Sequence, residues 1–374
     1  MNPDRKSFPG ARTLAVALTA LSGAALLLFP YTQPALTADL TETVITATPA
    51  SLRQVVRDAR AGSTILLAPG DYGSLVIKGS SFERPITLRS AQPGQPARFA
   101  SIRIDRSQGL QFQSITIAAI TPNPSPNRLV DVMHSSRIGF TQIRLTSALP
   151  KEASLPVRGL YVRNSSDITL RASTVDRIYL GGFFGNSNGI AIENNVFNAI
   201  LGDGVNFAGV QNVVIRRNLF RSFDHIGGSH ADAIQIFTTH TTGSAGVTIE
   251  ENRIFQEGGT PLQGMLISSQ NGSRHANVII KRNIVLTNDM PLGIALHAVD
   301  GIRAERNFVA SGPRSRWPTK LQIRDSTDVA VRDNVTTRLV IDGNLVRGGN
   351  GNKIIAPKED DTLARLSAEF EKSR

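Results

Sequence analysis

The 374-residue sequence predicts one all-β domain wound as a solenoid of parallel strands, and three observations point to that class. A strand-and-Asn unit recurs along the chain, its spacing matches one coil of a solenoid, and an amphipathic helical segment precedes the first repeat. The unit reads IAIENNVF at 190, VVIRRNLF at 213, VTIEENRIF at 247, VIIKRNIV at 278 and IRAERNFV at 302, with VAVRDNVT at 329 continuing it. The recurring Asn195, Asn218, Asn252, Asn283, Asn307 and Asn334 are separated by 23, 34, 31, 24 and 27 residues. Each unit supplies a β-branched strand of period two, a tight turn at the Asn, and a further short strand such as Gly204 to Phe207, Ala233 to Phe237, Gly264 to Ser268 or Gly293 to His297. One unit cannot bury its apolar face alone, so the units must stack. The Asn column is read as structural: Asn tolerates the left-handed conformation a turn demands, and stacked amides bond from coil to coil.

Weaker copies run upstream through ITLRSA at 86, IRIDRSQGLQFQSITI at 102, IGFTQIRLTSA at 138 and LYVRNSSDITLRAS at 160. Before them, Ser51 onward reads as an amphipathic helix, a Gly turn and a strand, and the helix is expected to cap the open end of the solenoid. Residues 358–374 are charged, with Leu363, Leu366 and Phe370 at helical spacing, which fits a C-terminal helix or a tail. At the N-terminus, Arg5, Lys6 and Arg12 precede an apolar run from Thr13 to Phe29 and a small-residue stretch ending at Ala38. That order is the layout of a secretory signal over residues 1–38, with an uncleaved anchor as the alternative. The solenoid is placed at 39–357, without a membrane span, in the periplasm or outside the cell, and as a monomer.

The chain has no cysteine, which excludes thiol catalysis and Cys-ligated metals. Residues 1–38 carry three cations and Asp4, so their removal lowers the net charge by two, from +11 to +9. A basic exported body is expected to meet a polyanion, and an acidic polysaccharide fits better than nucleic acid, for which no recognition module is visible.

The segment from Ser51 to about Ala356 resembles the right-handed parallel β-helix superfamily of pectate lyases, alginate and dermatan lyases, mannuronan epimerases and polygalacturonases. Within it, ASLRQVVRDARAGSTILLAPGDYG is similar to the opening of secreted β-helix lyases and epimerases. The resemblance implies a single-stranded right-handed parallel β-helix and a carbohydrate substrate. It does not select a reaction, because one scaffold hosts many. Between Ser51 and Ala356 the adjacent Asp-Asp pair and Gly-His-Gly of polygalacturonases and the Asp-Pro-His of mannuronan epimerases are absent.

Outward residues of neighbouring coils form ladders. Aligning Val205, Ile234, Met265, Ile294 and Leu321 as an inward column turns Asn206, Gln235, Leu266, Ala295 and Gln322 outward and brings Asp203 and Asp232 onto adjacent coils. The densest polar segment, Phe223 to Phe237, adds Asp224, His225 and His230. His230, Asp232 and Asp203 are the candidate catalytic residues. Gln235, Asn206, Asp224, His225, His297, Lys320 and Arg324 are the candidates for binding sugar. His230 titrates near neutrality and suits a base that removes the proton beside a uronate carboxylate, as lyases and C5-epimerases require; Asp232 would orient it. Two carboxylates one rung apart repel, and either a Ca²⁺ ion held by Asp203 and Asp232 or a proton on one of them relieves this. The proton favours a glycoside hydrolase with paired aspartates. Arg324, Arg274 or Lys320 could instead neutralise the uronate without metal. A non-catalytic polysaccharide-binding or export protein is the third reading, with Trp317, Tyr161 and Tyr179 as sugar platforms. Asp203 equally suits a turn before Gly204, His225 a loop, and His297 a solvated strand end.

Overall fold

The computed structural model describes residues 43–120, 127–152, 157–225, 230–312, 315–357 and 360–372, with side chains of the last segment from Arg365. The segment read as a signal or anchor lies outside these residues. Among the described residues the strands form three parallel sheets of 12, 11 and 12 strands, and only the last pair, Leu339–Ile341 and Asn344–Val346, is antiparallel. A representative coil runs Arg158–Arg163 in the third sheet, Ser166–Arg171 in the first and Thr174–Asp176 in the second. The next coil, Leu180–Gly185, Asn188–Glu193 and Val196–Asn198, pairs with it strand by strand. The chain is thus an all-β right-handed solenoid, as its repeats predict. Ile, Val, Leu and Phe fill its axis, including the stacked pairs Phe184–Phe207 and Phe197–Phe220 with ring centroids 5.0 and 4.7 Å apart.

The helix Leu52–Asp58 packs against the strands Val44–Ala47 and Thr64–Leu67 that end the first sheet, and it sends Leu52 and Val56 into the core. The C-terminal helix Asp360–Lys372 lies beside the second sheet, where Leu366 and Phe370 meet Phe308 and Ile284 and Arg253 pairs with Glu371 at 2.7 Å. Among the described residues no helix is long and apolar enough to cross a membrane.

Both two-residue corners are held by buried ladders. Between the first and second sheets, each Asn side-chain oxygen accepts the backbone and side-chain N–H of the Asn one coil earlier. Asn195 donates to Asn218, Asn218 to Asn252, Asn252 to Asn283, Asn283 to Asn307 and Asn307 to Asn334, at 2.9–3.1 Å. Each amide also donates to a strand carbonyl, as Asn252 does to Ile215. The ladder Asn is not itself left-handed. That conformation belongs to the residue before it, with φ of 57° at Asn194, 55° at Arg217, 58° at Glu251 and 54° at Arg282. Side chains rarely adopt that conformation, and the bonded Asn next door holds it in place.

The opposite corner carries a serine ladder. Ser107 donates its backbone N–H to Ser135, Ser135 to Ser165 and Ser165 to Ser187, while each hydroxyl returns to a carbonyl two residues back. Further along, His275 takes the serine's place: its Nδ1 accepts the Ser244 N–H at 3.1 Å and its Nε2 lies 3.1 Å from the Ser268 carbonyl. Accepting at one nitrogen and donating from the other requires a neutral ring. Burial accordingly pushes the His275 pKa below its ordinary value.

On the outer face of the first sheet, charge alternates from rung to rung: Arg171, Glu193, Arg216, Glu250, Lys281, Glu305, Arg332. Glu193 is bonded from both sides, by Arg171 at 2.7 Å and Arg216 at 2.6 Å.

Two outcomes follow. Replacing Asn252 by Ala takes the partner from the Asn218 backbone N–H and from the Ile215 carbonyl, at about 1–3 kcal/mol for each buried group, so chemical denaturation should show a loss of about 2–6 kcal/mol with the solenoid retained. For His275, the unfolded chain binds more protons than the folded one below the ordinary value of 6.5. Stability is therefore full above that pH and falls as pH drops toward the depressed folded-state value. Subtracting the His275→Ser curve from the wild-type curve of stability against pH should isolate this fall; a flat difference would refute it.

Candidate functional site

The second-to-third-sheet connections carry most of the excursions from the regular coil, such as residues 199–204, 256–261 and 287–291. They therefore flank one edge of the third sheet, where the polar candidates gather. Residues 226–229 lie outside the described ones. The register matches the predicted inward column: Val205 pairs with Ile234, Ile234 with Met265, Met265 with Ile294 and Ile294 with Leu321. Asn206, Gln235, Leu266, Ala295 and Gln322 form the adjoining outward column.

Asp203 and Asp232 do lie on adjacent coils. The Asp232 N–H donates to Asp203 Oδ1 at 2.9 Å, Asn206 Nδ2 donates to Asp203 Oδ2 at 2.9 Å, and the Gly204 N–H donates to the Asp232 carbonyl at 2.8 Å. Gly204 is fixed by close approach rather than by a turn: a Cβ there would sit 2.4 Å from the Ala233 carbonyl oxygen and 3.0 Å from the Phe220 ring. The same tight edge aims the residue before it outward.

Asp232 is 1 % exposed, and neither carboxylate oxygen has a hydrogen-bond partner. Its nearest cation is His230 Nδ1 at 3.6 Å, on a side chain that is 47 % exposed. Burial pushes the Asp232 carboxyl above the usual carboxylate range; His230 opposes the rise and the charge on Asp203 adds to it. Asp232, assisted by Asp203, raises His230 above its ordinary value against the effect of burial. Nδ1 thus faces the carboxylate, and this His–Asp pairing leaves Nε2 as the nitrogen for an incoming ligand.

Two further buried side chains beside this dyad have unpartnered atoms, Asn206 Oδ1 and Gln263 Oε1. Gln263 pairs in register with Asp232. Buried polar atoms are nearly always bonded, so three consecutive rungs with open ones offer acceptor atoms to a polar ligand. Sequence reasoning missed Gln263, although its place before Gly264 repeats that of Asp203 before Gly204. It missed Phe183 as well. On the Asn206 column, Arg128 lies 3.7 Å over Tyr161, and Tyr161 stacks on Phe183 at 4.9 Å. Both Tyr161 faces are covered, so it is no sugar platform; the Phe183 face toward Asn206 ends the stack.

The remaining candidates are dispersed. Asp224 is taken up by an ion pair with Lys151 at 2.6 Å, and His225 sits in the same loop, its N–H bonded to Thr260. Arg274 is held by Asp300 and Asp325, which take up the charge it would offer a uronate. His297, Lys320 and Arg324 face the same way as the dyad but several rungs on. Asp203 and Asp232 fit Ca²⁺ poorly: a calcium site draws on about six to eight oxygens, both Asp203 oxygens already accept N–H groups, and the described residues contain no cluster of three metal-ligating side chains.

The family described as "Right handed beta helix region" matches residues 158–356. The chain belongs to the right-handed β-helix family. No curated protein matches its sequence. Among solved structures, this β-helix is similar to an alginate lyase from Paenibacillus sp. str. FPU-7, with 14% identity, 83% of this chain and 99% of that one covered, and a TM-score of 0.54. It is similar to the DFA-IIIase of Arthrobacter chlorophenolicus A6, with 10% identity, 84% and 99% covered, and a TM-score of 0.53. The surface adhesin PfbA of Streptococcus pneumoniae, with 11% identity, 83% and 87% covered, and a TM-score of 0.50, shares the architecture too. These likenesses concern the fold, and they include both enzymes and an adhesin.

Asp232→Asn tests the dyad's strain. In the folded protein the raised Asp232 holds a proton that the unfolded chain releases above pH 3.8, so its carboxyl weakens the fold as pH rises through that window. The Asn variant should melt above wild type at pH 7, and the gap should close below pH 3.8.

Proposed function

We propose that this β-helix protein acts outside the cytoplasm on an acidic polysaccharide, by removing the proton next to a uronate carboxylate in a lyase-type β-elimination. The observation that carries the reading is the His230–Asp232 pair on an outward rung, with the imidazole half exposed and the carboxylate buried and without a hydrogen bond. Asp232 orients His230 and stabilises the imidazolium formed when Nε2 takes the C5 proton; the C4=C5 double bond forms as the C4–O4 bond breaks, and the imidazolium returns its proton to the departing glycosidic oxygen. Asp203, anchored by Asn206 and the Asp232 N–H, adds to the negative field that favours that imidazolium. Gln235, Asn206 and Gln263 supply amides for sugar hydroxyls on the same rungs. The net basic charge and the alginate lyase with the same fold agree with an anionic substrate. The signal-like N-terminus supports export.

A second reading draws on the raised Asp232. A carboxyl that burial makes hold its proton more tightly, beside a second carboxylate, is an acid–base arrangement for glycoside hydrolysis. The two part in one assay of purified protein with alginate, polygalacturonate and glycosaminoglycans. A lyase yields unsaturated-product absorbance, whereas a hydrolase yields reducing ends without it. We expect absorbance, lost by about 10²–10⁴-fold in His230→Ala. The rate should rise with pH as His230 deprotonates, its midpoint above 6.5. Full activity of His230→Ala would refute the assignment.

A further inference from the structure

The C-terminal coils of the same sheet carry an uncompensated cluster of cations. Lys320 and Arg324 flank the buried, outward Gln322 on one strand, and His297 pairs in register with Arg324 one coil earlier. Arg338 opens the next coil, its carbonyl accepting the Leu321 N–H. Among the described residues none of Lys320, Arg324 and Arg338 makes an ion pair, whereas Arg274, Arg282, Arg303 and Arg332 on neighbouring coils all do. His297 Nε2 is buried and has no hydrogen-bond partner. Burial and then the charges of Arg324 and Lys320 lower the His297 pKa; burial, Arg338 and Arg324 lower that of Lys320. Like charges on neighbouring rungs repel, and among the described residues no carboxylate pairs with them. An incoming anion supplies the pairing.

The position of the cluster defines its relation to the dyad. Asp232 pairs with Gln263, Gln263 lies in register with Leu292 through the Met265–Ile294 pair, and Leu292 pairs with Lys320. Lys320 is therefore three rungs from Asp232, about 14 Å at roughly 4.8 Å per rung. Gln263, Leu266, Ala295 and Gln322 floor the distance between them and place no charge along it.

We infer that His297, Lys320 and Arg324 form a subsite for the carboxylate of a uronate unit, and that the polysaccharide chain lies along the solenoid axis from this subsite to His230. The inference rests on the proposed acidic-sugar reading and extends it: the site requires an oligomer long enough to reach both places, and a single uronate cannot bridge them. The backbone of a solenoid sets this span, so the cluster measures chain length as well as charge.

The probes are trigalacturonate, sulfate and uncharged maltotriose, followed through the His297 imidazole resonances of labelled protein, with His297→Gln giving the assignment. Trigalacturonate should shift those resonances saturably and maltotriose should not. Binding should weaken at least tenfold when Lys320→Ala is combined with Arg324→Ala, and should persist in His230→Ala. Both altered side chains are partly or fully solvent-facing, and a melting curve matching wild type shows that the variant is folded. A response to sulfate without one to trigalacturonate overturns the uronate assignment, and an undiminished response in the double variant overturns the subsite. Saturable trigalacturonate binding through these residues in a protein that transforms no polyuronate would refute the lyase reading while leaving the subsite in place.

Discussion

The register between successive coils is the constraint on which the rest of the structure depends. Backbone pairing sets the spacing, but parallel strands alone can slip, and a slip of one residue would turn every core side chain outward. The buried Asn and Ser ladders remove that freedom. Each ladder amide or hydroxyl has its partner one coil away and at one height only, and a displaced coil would leave buried donors unmet. Corner residues in the left-handed conformation are held by the same bonds. Because the corners are fixed, the variable loops are confined largely to the one remaining connection, and the polar rungs beside it become a coherent surface.

How far that surface could be read from sequence follows from the period of the repeat. The Asn spacing, the alternation of apolar residues and the inward column Val205, Ile234, Met265 all report on packing, which repeats, and each is found in place. The proximity of Asp203 and Asp232 was legible for the same reason: aligning two coils is enough to bring them together. What stayed hidden depends on quantities that do not repeat. Gln263 looks like any strand-start Gln until its oxygen is seen buried and unbonded. His275 gives no sign in sequence that it stands in a serine ladder. Arg274 and Asp224 look available until their ion partners, Asp300 and Lys151, are seen beside them.

Charge is distributed by face. On the first sheet, cations and anions neutralise each other rung by rung, and this sheet presents little field to a distant polymer. On the third sheet from Val205 onward the charges are sparse and fall into the Asp232 rung with its His230 and the cationic cluster of Lys320 and Arg324, with the open Gln263 oxygen between them. The excess positive charge of the chain is therefore not a uniform coating.

The alternating ladder Arg171, Glu193, Arg216, Glu250, Lys281, Glu305, Arg332 also bears on how such a chain can lengthen or shorten. Duplicating or deleting one coil within that stretch would set like charges on touching rungs, whereas a change of two coils preserves the alternation. Growth of this solenoid by tandem duplication is thereby biased toward even steps, a parity rule written into a surface that takes no part in the proposed chemistry.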